Sequence, residues 1–218
     1  MSRTGCQWRL LPHDLPPWQL VAHYYYGWLK DGTLERINDC LREEIRIELG
    51  RDPEPSVGVL DSQSVKTAHG GEEKGRDQHK NVNGRKRNVL VDMLGLLIVV
   101  TVTSAGMQDS DAGQEVLIEA KGKTRRLQKV YADQGYKAWL VEWIARWQTV
   151  LLELVIKPPD QQGFQVHPKR WKVEQFFGLL TTYRRLSKDY ERSTESSQGM
   201  IHMASIRMML RKLSRLNY

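Results

Sequence analysis

The 218-residue chain is long enough for one sizeable domain with a small appendage and a real hydrophobic core. Its 33 Lys and Arg against 26 Asp and Glu leave a formal charge of +7, an excess that favours a polyanionic partner such as nucleic acid. Cys6 and Cys40 lack both metal-ligand spacing and the density of a disulfide scaffold, and the longest apolar run, residues 94–102, is too short to span a bilayer, so a cytoplasmic protein with no membrane segment is expected.

In chain order, Pro16-Pro17 precedes a helix over residues 18–30, where Val21, Tyr24, Tyr25, Trp28 and Leu29 recur at helical spacing until Asp31-Gly32 breaks the pattern. A second helix starts with Thr33 as its N-cap and carries Leu34, Ile37, Leu41, Ile45 and Leu49 on one apolar face. Residues 1–50 therefore read as a small helical unit, and Pro53-Glu54-Pro55 marks residues 51–55 as a stiff linker. Beyond it the period becomes strand-like: a short strand over 56–61, then a hairpin of 88–93 and 96–103 around Leu94-Gly95. The polar stretch 69–87 between them reads as a basic loop. A helix over 111–122, a strand over 128–132, a helix over 136–147 and a strand over 150–156 follow. A proline-rich loop, residues 157–169, leads into a helix over 170–186. The last helix, 195–216, carries Met203, Ile206, Met209, Leu210 and Leu213 on one side and Arg207, Arg211 and Arg215 on another. Residues 56–218 thus form an α/β domain whose mixed sheet is flanked by helices.

Three acids stand out by their place in this order. Asp61 closes the first strand, Asp133 follows the 128–132 strand, and Glu174 lies one turn into the helix after the proline-rich loop. If the first and fourth strands are neighbours, their carboxyl ends converge. Crowded carboxylates repel one another, and a hard divalent cation relieves that repulsion while leaving sites for water and phosphate. Phosphodiester cleavage needs an in-line nucleophile and charge neutralisation on both attacking and leaving oxygens, which two such ions supply. An all-carboxylate set points to Mg²⁺ or Mn²⁺ rather than zinc. Any one of these acids alone is better read as a turn or cap; only the set of three favours chemistry.

Several stretches, in order, resemble transposases of the insertion sequence five family: residues 60–67 (LDSQSVKT), the run 80–92 with Gly84-Arg85-Lys86-Arg87, Ala132-Asp133-Gln134-Gly135-Tyr136, Arg170-Trp171-Lys172-Val173-Glu174, Tyr183-Arg184-Arg185-Leu186, and Asp189-Tyr190-Glu191. The resemblance covers nearly the whole chain. It implies an RNase H-like catalytic fold, a DDE triad carried onto Asp61, Asp133 and Glu174, two Mg²⁺ or Mn²⁺ ions, double-stranded DNA as substrate and a homodimer on DNA. It also implies a phosphate contact for Arg170. The wider signature has a tyrosine and a lysine where this chain has His167 and Thr181, and Gln175 stands where many relatives have arginine. Residues 3–12 resemble the interior of the family's N-terminal helical domain, so an incomplete DNA-end-binding unit is expected.

Beside such a site, Lys80, Arg85, Lys86 and Arg87 gain a phosphate-tracking role over that of a solvated loop, and Lys169, Lys172, Arg184 and Arg185 gain from the same argument. Arg207, Arg211 and Arg215 read as a solvated helix face. The Trp139, Trp143 and Trp147 stripe, like Tyr24, Tyr25 and Trp28, reads as core packing rather than a base-stacking platform. His69, His79 and His167 lack ligand spacing and are assigned no metal, and Asp77 and Asp92 read as loop and turn residues. Two other functions fit the same residues: an RNase H-like nuclease that cuts without joining, and an inactive or repurposed DNA-binding remnant.

Overall fold

The structure, a computed structural model, describes residues 1–68, 70–155 and 168–216. Helices α1 (Trp18–Lys30) and α2 (Thr33–Glu48) precede strands β1 (Val57–Lys66), β2 (Gly75–Asp77), β3 (Val82–Asp92) and β4 (Leu97–Ser104). Then come α3 (Asp109–Lys123), β5 (Lys129–Asp133), α4 (Ala138–Gln148), β6 (Leu151–Val155), α5 (Trp171–Thr181) and α6 (Thr194–Leu216). The strands form one mixed sheet in the order β2-β3-β1-β5-β6, with β4 also paired to β3. β3 lies antiparallel to β1 and β4, whereas β5 is parallel to β1 and β6 to β5. With helices on both faces, this is the RNase H-like architecture expected from the sequence.

Strand periodicity sorts the core into two layers, because successive side chains point to opposite faces. Val59, Val89 and Val91 join Val173, Phe176, Phe177, Ile201 and Ala204 from α5 and α6 on one face. Leu60, Leu90, Val130 and Ala132 join Val116 and Leu117 of α3 and Leu140 and Ile144 of α4 on the other. Gly95 turns the β3–β4 hairpin at φ +77°, a conformation that suits glycine. Gly84 is needed for a different reason: a Cβ there would come 2.0 Å from the Val65 carbonyl oxygen, so β3 could not lie this close to β1. No helix among the described residues is long and apolar enough to cross a membrane.

The first fifty residues dock on this frame. Tyr25 and Leu34 lie in the same core layer as α5 and α6. The buried face of α2 is rotated from the expected apolar stripe: Leu34 and Ile45 are buried together with Asn38, Arg42 and Arg46, while Ile37 and Leu49 are exposed. The polar members have definite partners. Asn38 Nδ2 and Arg42 Nη1 both donate to the Leu97 carbonyl, at 3.0 and 3.2 Å, and Arg46 Nη1 pairs with Asp92 at 2.5 Å. Thr33 begins α2 rather than capping it; its amide donates to Asp31 Oδ1 at 2.9 Å.

The aromatic stripes are also rotated. On α4 the buried positions are Leu140 and Ile144, whereas Trp139 and Trp147 are exposed; on α1, Tyr25 is buried and Tyr24 and Trp28 are exposed. Trp143 alone of the three indoles packs, partly buried, against the layer under α3 and α4.

The largest correction concerns the basic loop. β3 begins at Val82, so Arg85, Lys86 and Arg87 lie within a strand paired on both sides and are buried. Arg85 donates to the carbonyls of Glu72, Glu191, Arg192 and Ser193 and pairs with Asp189 at 3.3 Å. Arg87 donates to the Leu186 carbonyl at 2.9 Å, and burial pulls its guanidinium down to about 10, still charged at neutral pH. Lys86 pairs with Asp109 at 2.9 Å. Arg85 and Arg87 tie the segment before α6 to the sheet and are not open to phosphate, while Lys86 is held by Asp109 and the Met107 carbonyl at the start of α3. Asp189, within a stretch that resembles the family, is the other half of this clasp: its carboxylate also accepts from Ser197 Oγ at 2.8 Å. Arg85→Ala leaves Asp189 buried and unpaired, and urea unfolding is expected to show a loss of about 3–5 kcal/mol. Arg184→Ala, at an exposed site, should stay within about 0.5 kcal/mol.

Candidate active site

The placement of the acids follows from strand register. β1 pairs with β5 through Val57↔Lys129, Gly58↔Val130 and Val59↔Tyr131. Two residues further along each strand, on the same face, stand Asp61 and Asp133. β1 does not end at Asp61, because its pairing with β3 runs on to Lys66↔Gly84. Asp61 therefore sits within the strand, just beyond the last β1–β5 pair. That face is covered by α5, whose Val173, Phe176, Phe177 and Leu180 are buried and hold it against β1 and β3. Glu174, in its first turn, is carried to the sheet edge, and Arg170 precedes it by one helical turn.

These residues meet at one atom. Arg170 Nη2 lies 3.0 Å from Asp61 Oδ2, 3.9 Å from Asp133 Oδ2 and 3.7 Å from Glu174 Oε1. Three carboxylates from three elements thus share one guanidinium, which leaves two negative charges unbalanced. Asp61 and Arg170 are each 14% exposed at the side chain, against 37% for Asp133. Burial is the largest influence on Asp61 and raises its pKa. The Asp133 charge adds to this, while Arg170 and the Ser62 amide offset only part of it. Arg170 is shifted upward: its burial opposes the charge, but Asp61, Asp133 and Glu174 outweigh it. Among the described residues no set of three His, Cys, Asp or Glu side chains is close enough to hold a metal ion as it stands; a guanidinium occupies the space between the acids.

Other groups around the triad receive no role from sequence. Ser62 faces the opposite side of the sheet from Asp61 and donates to Asp109 Oδ1 at 2.8 Å, so Asp109, at the start of α3, supports the strand beside Asp61. The only signal for it was the run Asp109-Ser110-Asp111, which also suits an ordinary helix start. Tyr136 is fully buried, its hydroxyl has no hydrogen-bond partner among the described residues, and burial, reinforced by the charges of Asp61, Asp109 and Asp133, raises its pKa well above the usual value. Gly135 donates its amide to Asp133 Oδ1 at 2.8 Å.

The expected DNA contacts divide sharply. Lys80 and Arg184 are exposed, and Lys172 is half-buried in a groove between α5 and α6. Lys169 pairs with Glu153 at 2.6 Å and Arg185 with Glu191 at 2.7 Å. Arg170 faces the acids, and Arg85, Lys86 and Arg87 are interior. His69, His167 and most of the proline-rich loop lie outside the described residues.

The chain belongs to the family of the transposase DDE domain, whose model matches residues 52–209. A model for transposases of the IS4/5 family matches residues 1–38. A search of curated proteins found no match. The protein is therefore a DNA transposase by family.

The upward shift of Asp61 has a sign that can be measured. A carboxyl whose folded pKa lies above its unfolded one favours folding when protonated, and that contribution is lost as pH rises through the folded pKa. Asp61→Asn removes the cost of ionising a buried carboxyl. In metal-free buffer it is expected to melt above the natural chain at neutral pH, with the gap closing on acidification. A lower melting temperature at neutral pH would contradict this reading of the site.

Proposed function

We propose that the chain hydrolyses phosphodiester bonds at the ends of an insertion sequence and joins the freed 3′-hydroxyls to target DNA, using Asp61, Asp133 and Glu174. The observation that supports it is the convergence of these three carboxylates on one Arg170 nitrogen. Their oxygens lie on a small shell about a single atom, within the reach of a pair of divalent ions about 4 Å apart. The donor set is all oxygen, and its excess negative charge suits Mg²⁺ or Mn²⁺. When bound, two such ions activate water and stabilise charge on the attacking and leaving oxygens.

The protein's own side chains do the rest. Asp61 and Asp133 are held on adjacent strands, and Glu174 rides on a helix anchored in the core, so the oxygen donors are positioned before substrate arrives. Arg170, on the same helix face as Glu174, can present its guanidinium to a phosphate in a bidentate fork. In the first step a water oxygen bonds to phosphorus and the bond to the 3′ oxygen breaks, leaving a 3′-hydroxyl and a 5′-phosphate. In the second, that hydroxyl bonds to a phosphorus of the target strand and a target 3′-hydroxyl leaves. No covalent enzyme intermediate is required. Because two ends must be joined in concert, a homodimer on double-stranded DNA is the proposed active form.

The test uses DNA carrying the element's two ends, with Mg²⁺ and a target plasmid. The natural chain is expected to nick the ends and give joined products. Asp61→Ala, Asp133→Ala and Glu174→Ala should each lower both yields by at least about 100-fold, as for loss of one group that stabilises charge in the transition state, while retaining DNA binding. Cleavage without joined products would leave only a nuclease. Full activity in Asp133→Ala would overturn the assignment of the site.

A further inference from the structure

A cavity of about 710 Å³ opens beside the carboxylates, walled by the β2–β3 turn, by residues 105–110 and by the segment that follows β5. No triad residue lines it; it is linked to β1 and β5 by hydrogen bonds between its lining residues and Ser62, Ser64 and Asp133. Gly135 in its wall donates to Asp133, and Lys80 at its mouth donates through Nζ to the carbonyl of Ser62, next to Asp61, at 3.3 Å.

The charges of this wall are unequal in kind. Its two acids already have partners: Asp77 accepts from Ser64 Oγ at 2.5 Å and from the Lys80 amide at 3.0 Å, and Asp109 pairs with Lys86. Its exposed cations have only neutral acceptors among the described residues. Arg76 Nη2 donates to Asn81 Oδ1 at 2.9 Å, Lys80 to the Ser62 carbonyl, and Lys137 to Gln108 Oε1. With Lys86, four cations line the recess against the two carboxylates of Asp77 and Asp109, and this excess of positive charge fits phosphate. The volume lies in the range of roughly 300–1,000 Å³ typical of small-ligand sites, which admits a stretch of single strand and not a duplex.

We propose that this cavity is a subsite for the backbone of an unpaired strand flanking the scissile phosphate, with Arg76 and Lys137 as phosphate-positioning residues beside Lys80. It rests on the reading of Asp61 and Asp133 as the cleavage site. The ligand chemistry is one or two phosphodiesters of a single strand, drawn into the recess so that the next phosphate along falls at the carboxylates.

The test measures binding by fluorescence anisotropy, with the full chain in EDTA so that no cleavage occurs, over a series of salt concentrations. The probes are a labelled single-stranded oligonucleotide and a blunt duplex of the same sequence. Each single-strand phosphate contact contributes about 0.7 to the slope of log affinity on log salt. Arg76→Ala/Lys137→Ala is therefore expected to lower that slope by about 1.4 for the single strand and to leave the blunt duplex nearly unchanged. Arg76→Lys/Lys137→Arg should restore it. Both side chains are exposed, so the substitutions do not threaten the fold. An unchanged single-strand slope overturns the proposal, and so does an equal loss on the blunt duplex, which would make these cations part of a general DNA face. Because this readout needs neither metal nor turnover, it is separate from the transposition assay. A natural chain that never cuts, yet whose salt slope falls by about 1.4 on Arg76→Ala/Lys137→Ala, would retain the subsite and lose the reaction.

Discussion

The arrangement depends on one constraint, the parallel register of β1 against β5. Side chains on a strand alternate with a period of two, and the Val59↔Tyr131 pair fixes which residues of the two strands share a face. Asp61 and Asp133 follow from it. A slip of one residue would send Asp133 to the face now filled by Val130 and Ala132 and would turn those two residues out of their core layer. Register is thus enforced by the core and not by the acids: Leu60, Val130 and Ala132 are all fully buried in the layer under α3 and α4. The site inherits its geometry from hydrophobic packing on the other side of the sheet.

That packing is opposed by the charge it gathers. Two like charges about 4–7 Å apart at an effective dielectric of about 20 repel by roughly 2–4 kcal/mol, and three carboxylates make three such pairs. Arg170 relieves part of this with one positive charge close to all three. Burial adds to the cost and is the largest reason that Asp61 is shifted upward, a carboxyl whose ionisation the fold resists. A site of this kind has two ways to lower its energy, by taking up a proton or by taking up further cations. Near neutral pH the second requires ions of high charge and oxygen preference, the same ions that the chemistry of phosphodiester cleavage calls for. The electrostatic cost of the free protein and its proposed reactivity have one cause.

The sequence made much of this legible, though unevenly. The helices and strands of the α/β domain were readable because apolar residues recur at their own periods. The three acids stood out as a set through their order along the chain and the neighbouring stretches that resemble a known family, although Asp61 lies within β1 and not at its end. What could not be read was orientation. Trp139, Trp143 and Trp147 recur at helical spacing as a core face would, yet Leu140 and Ile144 fill the narrow space under the sheet. On α2, apolar spacing pointed to Ile37 and Leu49 as well as Leu34, Leu41 and Ile45, whereas Ile37 and Leu49 are exposed and Asn38 and Arg42 are turned inward, where they donate to the Leu97 carbonyl at the start of β4. Local pattern carries no information about a distant carbonyl. The same blindness hid Asp109, whose role depends on Ser62, 47 positions away.

Charge misled for a related reason. A run of Lys and Arg beside glycines and asparagines looks solvated, and it would be so if its backbone were free. Here the backbone belongs to β3, between β1 and β4, so the arginines have to leave the sheet sideways into protein. They find a cluster of carbonyls from residues 186 and 191–193 and the carboxylate of Asp189, which satisfies most of their donors. Asp189 is also joined to the far end of β1, its amide donating to the Lys66 carbonyl and its own carbonyl accepting from the Ala68 amide. β1, β3 and the root of α6 are thereby bound at one place, and β1 is the strand that carries Asp61. Formal charge therefore overstates the surface available to a polyanion, since Arg42, Arg46, Arg85 and Arg87 all lie inside. The guanidinium groups of Arg42, Arg46, Arg85 and Arg87 do not mark a DNA contact; they mark backbone segments held in place by their carbonyls.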